Sequence, residues 1–257
     1  GLVVELMWLD ETSYPKPDGR PAISVLQWIQ YQLDNCASVG EVLATDKILR
    51  ISGSGTPLHY LVADAAGNAA TIEFLDGKLV AHTGKQLAFP VLTNSAYAES
   101  VQQAKEALRK QDVGEGRGSI ERFTRACDMV GRYAPSVNGS LVDHSFRILD
   151  EVSQGDYTKW SIVYDMTNRS IYFKTNDARQ VKTISFAAFD LSCGQLALAL
   201  DMNLQRGGNV RALFGKFDEQ MNRRFIERAA DLSRGMVNIP AADRERLVRY
   251  PATTTCK

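Results

Sequence analysis

LHYLVADAAGNAATIEFLDGKLVAHT, residues 58–83, is the stretch on which the fold turns. It holds three runs of strand length, LHYLVAD, ATIEFLD and KLVAHT, separated by AAGN and by Asp76-Gly77. An Asp-Gly pair between apolar runs is the strongest short hairpin signal, because a two-residue turn of type I′ needs positive φ at both central positions. The stretch therefore predicts an antiparallel meander. KILRIS (47–52) in front of it and LAFPVLT (87–93) behind it read as further strands.

Outward from the meander the pattern changes period. Towards the amino terminus, residues 2–9 form an apolar run of strand length, and PAISVLQWIQYQLDN (21–35) spaces Ile23, Leu26, Ile29 and Leu33 as a helix does, with Pro21 suited to its first turn. Ser38 and Glu41 form a capping-box pattern that starts a second helix over about 39–45. Towards the carboxy terminus, YAESVQQAKEALRKQ (97–111), SIERFTRACDMVGRY (119–133) and LVDHSFRILDEVS (141–153) predict helices, the second capped by Ser119. Strand signal returns in KWSIVYDMTNRSIYFKT (159–175), with a turn at 166–169, and in TISFAAFDLS (183–192); from Phe217 the chain is charged and helical. Strands in two clusters, with helices between and after them, define an α+β class and a single expected domain over 1–257.

Composition narrows function. Thirty basic and thirty acidic side chains cancel, so no global field draws the chain to nucleic acid or an anionic surface, and no run of 18 apolar residues forms an ordinary membrane span. The expected partner is a small molecule, with no nucleic acid, no membrane span, no metal and no cofactor; a homo-oligomer is left open. GEGRG (114–118) and SGSG (52–55) lack the strand–loop–helix context of a phosphate cradle and read as turns. His59, His82 and His144 are too dispersed for a metal site, with His59 and His82 expected half-buried in strands. Cys36, Cys127, Cys193 and Cys256 form no Cys-x-x-Cys pair and read as packing residues. No nucleophile with its base can be assembled from spacing.

Several blocks in order, GLVVELMWLDETSYP, QWIQYQLDNCASVGEVLATD, the meander ending in PVLTNSAYAES, SIERFTRA and GDYTKWSIVYDMTNRSIYFKTNDAR, resemble the choloylglycine hydrolase family of linear amide C–N hydrolases, over residues 1 to about 190. The resemblance implies an αββα four-layer sandwich of the N-terminal-nucleophile hydrolase type. It also implies hydrolysis of a linear non-peptide amide, as in penicillin V, conjugated bile salts or N-acyl amides. The nucleophile would be an amino-terminal cysteine whose α-amino group, with a reference pKa of about 7.7–8.0, shuttles the proton without a histidine.

By the same resemblance Asn94, in Leu-Thr-Asn, stabilises the oxyanion, and Arg122, in SIERF, tunes the site electrostatically, with Arg125 the competing assignment. Many relatives carry proline after the asparagine, where this chain has Ser95 and Ala96. None of the four cysteines falls in the nucleophile's block, so the chain is expected to lack an amino-terminal portion carrying it, to be inactive alone and to expose sheet edges. A non-catalytic binding or assembly protein on the same scaffold is the alternative. Relatives of this kind are often exported, which implies a periplasmic or secreted location.

Overall fold

The computed structural model describes residues 1–53, 55–235 and 237–253. These residues form two compact units, Gly1–Asn176 and a second from Asp177 onward.

The first unit is built on a four-stranded antiparallel sheet in the order β1 (Leu2–Trp8), β4 (Leu58–Asp64), β5 (Ala69–Leu75), β6 (Lys78–Thr83). Two short parallel strands, β2 (Ala22–Ile23) and β3 (Arg50–Ile51), lie between β1 and β4 in the chain. Asp76 and Gly77 turn β5 into β6 with φ of 51° and 75°, the positive pair that the Asp-Gly signal demands.

Strand alternation divides the β4 side chains between two cores. Tyr60 and Val62 face α1 (Val25–Asn35) and α2 (Val39–Ala44), where Trp28, Val39 and Val42 bury against them with Ile72 and Phe74. The Trp28 ring lies 4.5 Å from Tyr60 and 6.4 Å from Phe74. Leu61 and Met7 turn to the opposite face, against a second core of Val91, Leu92, Tyr97, Ala104, Phe123 and Ala126. That core is supplied by α3 (Tyr97–Lys110) and α4 (Ser119–Gly131).

After the short helix α5 (Pro135–Asn138), α6 (Leu141–Glu151) packs on α4 and on the hairpin β7 (Trp160–Asp165) and β8 (Ser170–Thr175). A Glu5–Tyr164 hydrogen bond ties β7 to β1. β1 is an edge strand, with Leu6 38% and Trp8 49% exposed.

The second unit holds β9 (Lys182–Ser185) paired in parallel with β11 (Gly208–Asn209), and β10 (Leu198–Ala199) paired antiparallel with β12 (Gly215–Lys216). Two helices, α7 (Glu219–Ser233) and α8 (Ala241–Arg249), pack together, joined by an Arg223–Glu245 ion pair. Among the described residues no helix is long and apolar enough to cross a membrane.

Three sequence expectations shift. The first helix starts after Ser24, whose hydroxyl and Gln27 form a capping box; Ile23 pairs with Ile51 instead of opening the helix. LAFPVLT joins no sheet. Pro90 has no N–H to give a ladder, and the Phe89 amide and carbonyl are both taken by the Tyr97 hydroxyl, at 3.0 Å each. His59 is fully buried rather than half-buried.

The β4–β5 turn is fastened to α2 by Asp64. Its carboxylate accepts the amide of Val39, at 3.0 Å, and those of Asn68 and Ala66. These bonds, Val39's foremost, hold its pKa below the usual aspartate value. A depressed pKa in the folded state gives stability that is present at neutral pH and lost as pH falls through that pKa. Asp64→Asn should therefore unfold at lower urea than the parent at pH 7, and the gap should close as pH drops below about 4. A gap independent of pH would show that the charge contributes nothing.

Candidate active site

The chain leaves the second core at Leu92 and passes Thr93 and Asn94 before α3 begins at Tyr97. Two bonds to Ser119 hold this short turn. The Asn94 amide donates to the Ser119 hydroxyl at 2.9 Å, and the Thr93 hydroxyl donates to the Ser119 carbonyl at 3.0 Å. Ser119 is the first residue of α4, not its cap; Gly118 occupies the cap, so the Ser119 side chain is free to reach across to the turn.

The Asn94 carboxamide is held at both ends. Its Oδ1 accepts from Arg122 Nη2 at 2.8 Å, and its Nδ2 donates to the Trp8 carbonyl, at the end of β1, at 3.1 Å. A flipped amide would set NH2 against a guanidinium and oxygen against a carbonyl, so the orientation is fixed by its neighbours. The second Nδ2 hydrogen has no acceptor among the described residues, and Asn94 is only partly buried. A rigid donor with one free N–H is what a developing negative charge on a small oxygen requires.

The two residues expected from the sequence to share a site, Asn94 and Arg122, are thus hydrogen-bonded to each other across 28 positions of chain. Arg125 is not part of this contact. Its Nη1 grips the carbonyls of Gly114 and Gly116, at 3.0 and 2.7 Å, and its Nε lies 3.4 Å from Glu151. Arg122 is 8% exposed, and its other bond runs to the Arg117 carbonyl at 3.2 Å; no carboxylate pairs with it among the described residues. Burial, and next the nearby Arg125 charge, lower its pKa. The result is a desolvated positive charge aimed at the carboxamide.

The cysteines stand apart from this chemistry. Burial pushes the Cys127 thiol up to about 12 and also raises Cys36, while Cys193 is disulfide-bonded rather than a packing residue. Cys256 lies outside the described residues. Among the described residues no cluster of three or more His, Cys, Asp or Glu could hold a metal.

Beneath the turn lies a group that spacing alone did not single out. His59 Nε2 contacts the Thr93 carbonyl at 2.6 Å and its Nδ1 lies 3.2 Å from Glu73 Oε1, which also accepts the Tyr97 amide at 2.9 Å. A signal for it exists in the sequence. Once AAGN sets the β4–β5 register, His59 and Glu73 face each other on the same side of the sheet as Leu61.

Residues 1–131 match the family model for linear amide C-N hydrolases, choloylglycine hydrolase family, and the chain belongs to that family. It is 37% identical to a penicillin V acylase of Pectobacterium atrosepticum over a stretch that covers 37% of this chain and 28% of that protein. The chain thus spans under a third of the curated relative it matches. The structure is similar to that of penicillin V acylase from Agrobacterium tumefaciens, with a TM-score of 0.71, 25% identity, and coverage of 85% of this chain and 75% of that one. Conjugated bile acid hydrolase from Clostridium perfringens superposes with a TM-score of 0.65 at 19% identity, over 79% of this chain and 75% of its own. The fold is accordingly the mixed helix-and-sheet sandwich of the N-terminal-nucleophile hydrolases.

Ser119→Ala would leave the Asn94 amide without its acceptor and should cost about 1–3 kcal/mol in urea unfolding. An unchanged midpoint would mean that the hydroxyl does not hold the turn.

Proposed function

We propose that this chain forms part of an amidohydrolase that cleaves a linear, non-peptide carbon–nitrogen amide bond. The nucleophile in this reading is an amino-terminal cysteine outside the 257 residues. Its thiolate attacks the amide carbonyl carbon while its own α-amino group takes the thiol proton. The carbonyl oxygen becomes an oxyanion. When the C–N bond breaks, the amino group returns the proton to the departing amine, and water then hydrolyses the thioester by the same route in reverse.

Asn94 meets the oxyanion with its free Nδ2 hydrogen. Arg122 acts through Asn94: it fixes the carboxamide, polarises it by holding Oδ1, and places a desolvated positive charge behind the donor. The Asn94–Arg122 bond carries this reading, because it joins an oriented donor to a buried cation that pairs with no carboxylate among the described residues, within a chain of this family. The names of its relatives make penicillin V the first substrate to try.

In the full natural polypeptide, Asn94→Ala should lower kcat on penicillin V by about a hundredfold or more in a protein that still folds, with a lower unfolding midpoint because the buried Arg122 loses an acceptor. Turnover equal to the parent's removes Asn94 from the chemistry. Tight binding of penicillin V or a conjugated bile salt with no hydrolysis by the parent protein would instead favour a non-catalytic binding role.

A second substitution separates the two arginines. Arg122→Gln should reduce kcat in the same direction as Asn94→Ala, and the double variant should be little worse than either alone, since both remove one shared interaction. Additive losses would show that Arg122 works independently of Asn94.

A further inference from the structure

Two buried groups of the first unit that the reaction does not use converge on one place. His59 and Glu73 are both fully buried, so neither can touch substrate. Both nevertheless end on the backbone that carries Asn94: Nε2 of His59 on the Thr93 carbonyl, and Glu73 Oε1 on the Tyr97 amide. Thr93 and Tyr97 flank Asn94 on its two sides.

Proton counting fixes the state of the pair. Nε2 faces a carbonyl oxygen, which can only accept, so Nε2 carries hydrogen. Nδ1 faces a carboxyl oxygen, so one hydrogen lies between them. The pair is either imidazolium with carboxylate or neutral imidazole with carboxylic acid. Both forms have no net charge, and both keep the donor on Nε2.

We infer that His59 and Glu73 are a positioning pair for the reaction: the imidazole fixes the Thr93 carbonyl and the carboxyl group fixes the start of α3, so that the Asn94 carboxamide between them is set at one height and angle. This rests on the amidohydrolase reading only for its kinetic consequence. The geometric part is independent of it. Arg122 and Ser119 of α4, with Trp8 at the end of β1, grip Asn94 itself, whereas His59 and Glu73 anchor its neighbours to β4 and β5, the two inner strands of the sheet. A peptide between two such anchors can move only if a buried hydrogen bond breaks.

The test uses the full natural polypeptide with three variants, His59→Phe, His59→Gln and Glu73→Gln. Two readouts are taken: the side-chain amide NMR signals of Asn94, and kcat and KM on penicillin V. His59→Phe fills the site without a donor. It should shift the Asn94 signals and lower kcat on the order of tenfold to a hundredfold, because small displacements of a reacting geometry have effects of that size. KM should stay within about twofold, as expected when an interaction serves the transition state alone.

His59→Gln restores a donor to the Thr93 carbonyl and should recover most of both readouts. Glu73→Gln keeps the acceptor for the Tyr97 amide and should show a smaller change in the same direction. Unmoved Asn94 signals in a folded His59→Phe protein overturn the inference, as does a His59→Gln protein as impaired as His59→Phe.

Should both the Phe and Glu73→Gln variants fail to fold, the parent protein decides. A protonated, exchange-protected Nε2 in its nitrogen spectrum supports the pair, and an unprotonated Nε2 sinks it. A parent that hydrolyses no amide while its Asn94 signals respond to His59→Phe would remove the amidohydrolase reading and leave the positioning pair standing.

Discussion

A buried imidazole touching one peptide carbonyl, His59 Nε2 on Thr93 at 2.6 Å, is the constraint on which the rest of the site depends. The segment from Leu87 to Ala96 belongs to no sheet and no helix, so its backbone has no ladder to satisfy it. Side chains take over that task. His59 serves Thr93, the Tyr97 hydroxyl serves both polar groups of Phe89, and Ser119 serves Asn94. A segment held in this way can turn its polar groups where a strand could not. That freedom lets Asn94 project a carboxamide towards β1 while its backbone faces α4.

The electrostatics follow from the same arrangement. A buried guanidinium without a carboxylate is costly, and among the described residues Arg122 offsets that cost with carbonyl and carboxamide oxygens rather than with a counter-ion. Its charge therefore remains available to a species that enters the site. Arg125, three residues on, spends its charge and donors on Glu151 and on the glycine loop. Two arginines of similar burial on one helix thus have different consequences, decided by which way each side chain points.

Much of this was legible from residues alone. The meander, the Asp76-Gly77 turn, the Ser38–Glu41 capping box and the helices after Asn94 follow from period and turn chemistry, which act over a few residues. The Asn94 and Arg122 assignments came from resemblance to a family, and the structure brings the two side chains into contact. Local pattern could not see uses of a side chain made over distance. Ser119 had the look of a helix cap, yet its hydroxyl serves a turn 25 residues earlier. Phe89 to Leu92 had the apolar density of a strand, but Pro90 and the reach of Tyr97 gave that segment another way to satisfy its backbone. His59 looked like one of three scattered histidines until strand register set it beside Glu73.

The glycine-rich run at 114–118 has a consequence of its own. Its glycines surround a carboxylate that belongs to the protein: a Cβ on Gly118 would lie 2.3 Å from Glu121 Oε2, one on Gly116 3.1 Å from Oε1, and Gly114 takes a φ of +64°. Glu121 sits in the first turn of the helix that begins with Ser119, and bulk added at Gly116 or Gly118 would displace the flexible end of its side chain. The run therefore tolerates change unevenly along its length: at 116 and 118 a new side chain asks only a carboxylate to swing aside, whereas at 114 it meets a left-handed backbone.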